Sequence, residues 1–374
     1  MAFLFLAAGV VYPIFPLYMS LRGLSGVEIG VVASASALAS TASAVLLGLY
    51  SDSIGRREAL QAAACAALAG LVPVYSLASG FGWFLPFHSA FMSLGGAAMS
   101  LSGAVAMDYI AERRGARFGA LRTSGAVGWV VGALVGGYLV ERASYQAAFA
   151  ASSLAYAAAA ALYGLGAGRA RQAPAGAAKP SPLSRGAILL LAAVFAASAS
   201  NPAYYTFTPL YIVEELGGSE LEASLAFAVT PFAEIPAMVA LGALSDRVGR
   251  LKVLAACFLA YPLRYGLTGL LRRPAQVVTA QLLHGLTFAG LYVVGSAHLA
   301  DAAGGATGFA LSLFTAAFNL GGVVGGYLLA LVQARCGYAG MYLAAAALSS
   351  LSLPLLLASA KLGSRQRSPP REQP

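Results

Sequence analysis

Read for hydrophobic and polar positions alone, the chain is a succession of apolar stretches separated by short polar breaks. Twelve stretches predict helices at 2–20, 27–50, 58–79, 82–107, 118–140, 146–167, 186–213, 221–244, 251–271, 275–299, 307–332 and 338–360. Each is about 18 residues or longer, the length that crosses a hydrocarbon layer about 30 Å thick. Nothing is left over for a soluble domain. The first run starts with no basic segment before it and no small-residue cleavage site behind it, so it reads as a spanning helix and not as a cleaved signal. The longest polar break, 168–185, is rich in Pro, Gly and basic residues and reads as a linker. The expected units are an N-terminal six-helix bundle 1–167, a cytoplasmic linker 168–185, a C-terminal six-helix bundle 186–360 and a disordered cytoplasmic tail 361–374.

The two bundles are versions of one another. Tyr12-Pro-Ile-Phe-Pro16-Leu-Tyr18 recurs as Tyr205-Thr-Phe-Thr-Pro209-Leu-Tyr211, displaced by 193 residues. Gly48-Leu-Tyr-Ser-Asp52-Ser-Ile-Gly55-Arg56 recurs as Gly242-Ala-Leu-Ser-Asp246-Arg-Val-Gly249-Arg250, displaced by 194. Asp108 answers to Asp301 at 193, and Gly136-Gly137-Tyr138-Leu139 to Gly325-Gly326-Tyr327-Leu328 at 189. Six helices per repeat leave both copies in the same orientation, which predicts two parallel bundles about an axis along the membrane normal.

Composition agrees: 59% of the 374 residues are hydrophobic and 10% charged, where soluble chains carry about 25%. The net charge of +9 does not call for nucleic acid. With both termini inside, 17 of the 23 Lys and Arg residues fall in inner loops and five in outer ones, the positive-inside bias of a multi-pass protein of the cell's inner, cytoplasmic membrane. Cys65, Cys257 and Cys336 have neither metal-ligand nor disulfide spacing, so no metal and no cofactor are expected.

The segments Gly48–Arg57 and Gly242–Lys252 read G-x-x-x-D-x-x-G-R-[RK], with Leu251 inserted in the second. This pattern resembles the signature of the major facilitator superfamily between helices 2 and 3 and again between 8 and 9. The resemblance implies twelve transmembrane helices in two pseudo-symmetric bundles around a central cavity, an all-α membrane protein that transports and is not an enzyme. It makes Gly48, Asp52, Gly55, Arg56, Gly242, Asp246, Gly249 and Arg250 parts of two conformational latches, with Asp108 and Asp301 as partners of Arg56 and Arg250. The latches are expected closed in an outward-facing state and open in an inward-facing one. Gly125, Gly128, Gly132, Gly136 and Gly137, and Gly321, Gly322, Gly325 and Gly326, have the small-residue spacing of close helix packing. The Gly-Pro of the superfamily's antiporter motif is absent from the fifth helix.

A second likeness is narrower. Asp108 through Trp129, with the core Arg122-x-x-Gly125-x-x-Gly128-Trp129, resembles the helix 4–5 segment of lactose-permease-type symporters, parts of which nucleoside and phenylpropionate permeases share. That resemblance assigns substrate contact to Asp108, Arg122 and Trp129. Read on their own, Arg122 is equally a basic anchor and Trp129 a lipid-facing ring.

The residues that break the repeat carry the rest. Glu234, Arg264 and His284 stand mid-helix where the first half has Ser40, Leu71 and Phe91. An ionisable group at bilayer centre costs roughly 2.5–3.5 kcal/mol on the more lenient scale, so each should face the interior and find a partner. Lactose-permease-type symporters place Glu, Arg and His on the same three helices for proton coupling, and they add a Glu where this chain has Thr287. A structural ion pair is the competing reading. Tyr12 and Tyr205, beside prolines on the first and seventh helices, are expected to line and close the cavity. The reading is proton-coupled symport of a sugar, nucleoside or aromatic acid by a monomer in the lipid bilayer. The alternatives are an exporter of the same fold and a membrane-embedded enzyme.

Overall fold

The computed structural model describes residues 1–54, 56–109, 114–166, 184–302 and 307–367. Gly55, residues 168–183 of the linker and 368–374 of the tail lie outside the described residues, as do the surroundings of Gly48 and the side chain of Asp52. Ten spans follow one another: α1 Ala2–Leu21, α2 Gly26–Leu47, α3 Arg57–Leu77, α4 Phe81–Ala106, α5 Leu121–Arg142, α6 Tyr145–Gly166, α7 Arg185–Glu215, α8 Glu220–Val248, α9 Arg250–Leu270 and α10 Pro274–Asp301. The last apolar run, Ala310–Leu362, contains two helices, because Gly337 breaks it at φ 66°, a conformation that costs a side-chain-bearing residue strain. These are α11 (307–336) and α12 (338–367), which complete the expected twelve. Because the chain alternates in direction, both termini fall at one end of the bundle.

Helix association in lipid depends on close packing, since apolar burial gives no preference for a neighbouring helix over a lipid tail. The glycine stripe of α5 shows how the sequence achieves it. A Cβ on Gly128, Gly132 or Gly136 would run into the carbonyl oxygens of Ala2, Leu6 and Val10, three positions of α1 at the same four-residue spacing. In the other half, Gly321 and Gly325 of α11 lie equally close to the α7 backbone at Phe195 and Ala199.

Helices α1 and α7 are interrupted at matching places. The first breaks between Val11 and Phe15, at Pro13; the seventh divides into Arg185–Ser198, Pro202–Tyr205 and Phe207–Leu210, with one break before Pro202 and one at Thr206, the equivalent of Pro13 and one turn before Pro209. Proline removes a backbone donor and crowds the preceding turn, so a bend there follows from composition. Tyr12 and Tyr205 sit at these bends.

The halves meet tightly at the end remote from the termini. There a Cβ on Gly30 of α2 would collide with Ala330 of α11, and one on Gly137 of α5 would stand 2.6 Å from the Ser224 Cβ of α8. Ser20 of α1 hydrogen-bonds Glu214 of α7 across the same seam. Nearer the termini α5 and α8 part, and a cavity opens between them.

Candidate functional site

That cavity, about 340 Å³, is lined from one half by Phe5, Arg122, Ala126 and Trp129, and from the other by Tyr204, Tyr205, Thr230, Glu234, Met238, His284 and Phe288. A second cavity of about 420 Å³ lies toward the remote end and is lined by Tyr12, Ser34, Ser40, His88, Asn201, Tyr205 and Asn319 among others. Tyr205 belongs to both, and Tyr12 meets Trp129 edge-on with centroids 5.5 Å apart.

Behind the wall runs a linear polar array. Arg264 is fully buried on α9. Its Nη1 donates to His284 Nδ1 at 2.6 Å and to Thr287 Oγ1 at 3.3 Å, and its Nη2 donates to Gln281 Oε1 at 2.6 Å. Tyr204 and Tyr265 hold the guanidinium between their rings at 4.7 and 5.2 Å. On its other side His284 places Nε2 3.0 Å from Glu234 Oε1. A guanidinium cannot give up its proton, so Nδ1 must accept, and the imidazole's single proton then sits on Nε2 and is donated to Glu234. The imidazole is thus neutral, between a fixed cation and a carboxylate at the cavity wall.

The local backbone makes this contact possible. Gly285 lets α10 approach α8 so closely that a Cβ would stand 2.5 Å from the Ala233 carbonyl oxygen, next to Glu234. Around it α10 is irregular, with a 3₁₀ turn at Gln281–Leu283 and π-helical turns at Gly285–Ala289 and Leu291–Gly295. Single π turns concentrate at functional sites.

Residues 1–339 match the family described as the MFS_1 like family. The chain belongs to the MFS_1 like family. A maltose permease of Geobacillus stearothermophilus is 29% identical over 279 residues, covering 69% of this chain and 68% of that protein. Sugar efflux transporter A of Dickeya chrysanthemi is 30% identical over 176 residues, 46% of this chain and 44% of that one. Among solved structures, the nucleoside transporter NupG superposes with a TM-score of 0.76 at 15% identity, covering 97% of both chains. A bacterial homolog of the human lysosomal transporter Spinster, inward-facing and unoccupied, gives 0.74 at 13% identity over 99% of this chain and 96% of its own. The protein is a multi-pass membrane transporter of small solutes with the major facilitator fold, and not an enzyme.

Within this MFS_1 like chain, the residues picked out from sequence fall into two places. Arg122, Trp129, Tyr205, Glu234 and His284 share the first cavity, while Tyr12 lines the second. Arg264 does not line the cavity but stands behind His284. Asp108 is also elsewhere: both its carboxylate oxygens accept from Arg57 Nη1, at 2.7 and 3.0 Å. Here the expectation needs correcting, since Arg56 is exposed and Arg57, the first residue of α3, makes the bond. Its counterpart Arg250, the first residue of α9, meets Asp301 at 3.0 Å and Asp246 at 3.9 Å. Gly249 turns the chain from α8 into α9 at φ 98°, and Gly242 faces Val293 of α10. Both ion pairs are formed while the remote ends are packed shut. Each pair joins elements of one half, so rocking one half against the other leaves it intact. Gln281, Tyr265 and Thr287, which complete the Arg264 environment, had not been singled out as its partners.

Proposed function

We propose that this transporter moves a small organic solute in symport with protons, as a monomer of the cell's inner membrane with both termini in the cytoplasm. The packed remote end is then the outer face, and the cavity opens inward. The distribution of Lys and Arg supports that orientation. The observation that carries proton coupling is the array Arg264–His284–Glu234 ending on the cavity wall. Glu234 is its single group able to take up and give back a proton without disturbing a fixed charge. Facing outward it loads from the exterior, and facing inward it unloads to the cytoplasm. Arg264 holds the imidazole in one tautomer and so keeps the Nε2 proton directed at Glu234. Trp129, Tyr12 and Tyr205 offer stacking surfaces and Arg122 a fork of donors for the solute. The Arg57–Asp108 and Arg250–Asp301 pairs, with Asp246 in the last turns of α8, act as clasps within each half.

Relatives named for maltose, sugar efflux and nucleosides support a small organic solute. The similarity to a sugar efflux transporter also supports a second reading, export, and the direction of gradient-driven movement in oriented vesicles decides between them. The test of coupling is Glu234→Gln in reconstituted vesicles. Counterflow exchange should survive while accumulation driven by a proton gradient is lost; undiminished accumulation would end the proposal.

A further inference from the structure

We infer that the solute is a small organic monoanion, a carboxylate on an aromatic or alkyl body, with Arg122 as its counter-charge. The inference rests on reading the first cavity as the solute site; proton uptake at Glu234 enters only the comparison of the loaded with the empty carrier.

The argument is one of charge. Among the described residues, the groups lining the cavity or held directly behind it comprise two permanent cations, Arg122 and Arg264, and one carboxylate, Glu234. His284 is neutral because its Nδ1 accepts from Arg264. Two groups that could have restored balance do not. Asp108 is committed to Arg57, and Thr287 presents Arg264 with a hydroxyl in place of a carboxylate. Among the described residues, the second cavity has no Asp or Glu in its lining.

Arg122 is the unanswered cation. Its guanidinium lies 5.2 Å from the centre of the Phe5 ring, and among the described residues no carboxylate comes within ion-pair distance of it. It stands at the wall, within reach of a solute, whereas Arg264 is sealed behind imidazole and phenol rings. A planar guanidinium matches a carboxylate through two parallel hydrogen bonds. The rest of the lining suits the body of such a solute: Phe5, Trp129, Tyr204, Tyr205 and Phe288 supply rings, and Ile235, Met238 and Val239 supply aliphatic surface.

Movement across the membrane sharpens the point. The empty carrier with Glu234 ionised holds a net charge of about +1 in this region, and proton uptake raises it to about +2. With a neutral solute the loaded carrier would rock with the larger uncompensated charge in a medium of low dielectric, where each unpaired charge is costly. A monoanion returns the loaded carrier to about +1, so the loaded and empty legs face similar electrostatic barriers.

The test is calorimetric titration of the purified full-length protein with two isosteric pairs, benzoate against benzamide and indole-3-acetate against indole-3-acetamide, with maltose as a neutral polyol. Each pair differs in charge and hardly in shape. At pH 7 at least one acid should bind tenfold or more tightly than its amide. Arg122→Gln should remove that preference by weakening the acid far more than the amide, and an unfolding temperature close to that of the unmodified protein shows that the variant folds. Equal binding of acid and amide, or binding of maltose alone, overturns the inference. If maltose binding then falls in Trp129→Ala, the cavity stands as the solute site and only the charge assignment has failed. If neither Arg122→Gln nor Trp129→Ala alters the binding of any probe, the reading of the site fails as well.

Discussion

Around α3 and α4 of the N-terminal half, with rings added from α1 and α6, the interior is aromatic. Tyr75 and His88 share a hydrogen bond, and Phe15, Phe91 and Phe149 pack around Tyr75 with centroids 4.5 to 5.7 Å away. Between α8, α9 and α10 of the C-terminal half, the equivalent interior holds Arg264, Gln281 and His284, joined to one another and to Glu234. Leu71 corresponds to Arg264, Phe91 to His284 and Ser40 to Glu234. His88 and Gln281 are themselves equivalent, 193 positions apart, and both are buried. Even the backbone differs: Phe81–Tyr109 is one unbroken α-helix, whereas its counterpart α10 passes through 3₁₀ and π turns. One scaffold thus serves as a rigid aromatic block on one side and as a polarised array on the other. The difference teaches that a duplicated fold can confine its buried polar array to one copy, while the other brings Arg122 and aromatic rings to the cavity wall.

The largest effect expected from this asymmetry lies in the clasps. Arg57 and Asp108 are 13% and 6% exposed, whereas Arg250 and Asp301 are 27% and 55% exposed. Removing one partner of a buried pair leaves the other charge uncompensated, at a cost of about 3–5 kcal/mol, while an exposed pair is worth about 1 kcal/mol or less. Arg57→Ala should therefore lower the thermal unfolding temperature far more than Arg250→Ala, and Arg56→Ala should hardly change it. Equal shifts for Arg57→Ala and Arg250→Ala would erase the distinction between the two halves at this site.

Next comes exchanging the character of the interiors. Arg264→Leu gives the C-terminal half the residue that the N-terminal half already carries. His284 then loses the donor that fixes its tautomer, and proton-driven accumulation should fall about 100-fold, toward the upper end of the usual 1–3 kcal/mol of coupling between sites. Stability should not fall in step, because an enclosed cation with no carboxylate of its own is removed. Tyr75→Phe is the mirror experiment: it should cost about 1–3 kcal/mol for the stranded His88 and leave the pH profile of uptake unchanged. A shifted pH profile in Tyr75→Phe would show that the aromatic block also takes part in coupling.

How much of this was legible depended on the kind of signal. The twelve helices were, because spans and breaks are written in composition; the last two are kept apart in the structure by the turn at Gly337 alone. Glu234, Arg264 and His284 were legible because each violates both the hydropathy of its helix and the repeat. Asp108 misled, since its position beside the Arg122 segment resembles a substrate contact while its geometry belongs to Arg57. That register could have been read: Asp108 and Asp301 are 193 apart, and so are Arg57 and Arg250, whereas Arg56 and Arg250 are 194 apart. Gln281 and Thr287 gave no such warning, because uncharged polar residues are common in membrane helices and reveal a partner only in three dimensions. The fully buried position of Arg264 was illegible for the same reason: periodicity places a residue on a helix face but does not say whether the cavity or a second layer of side chains lies beyond it.

The smallest expected effect lies where the halves touch as equals. Ser20 and Glu214 are 194 residues apart, one residue off the 193 that relates Tyr12 to Tyr205 and Tyr18 to Tyr211, so they occupy neighbouring and not identical places in the two repeats. Residues so nearly equivalent can reach each other only close to the axis that relates the halves, so this bond marks where the remote ends of α1 and α7 converge. The two residues are chemically unlike, and the asymmetry again favours the second half: Glu214 also accepts from Tyr338 of α12 at 2.5 Å, whereas Ser20 lies at the end of a helix whose nearby Arg22 is held by Tyr18 and the Ser76 carbonyl. Ser20→Ala therefore removes the tie between halves and leaves Glu214 its partner within its own half. A net hydrogen bond of about 1 kcal/mol corresponds to roughly a fivefold change in an equilibrium. Opening of the remote end should become about that much more frequent, read as faster labelling of Ser34→Cys by an impermeant maleimide supplied on that side of the membrane. Glu214→Gln keeps an acceptor for Ser20 and should shift the rate less than Ser20→Ala does. If Ser20→Ala leaves the labelling rate unchanged, the seam is held by the Gly30–Ala330 and Gly137–Ser224 contacts alone, and the axis bond is a consequence of closure with no part in holding it.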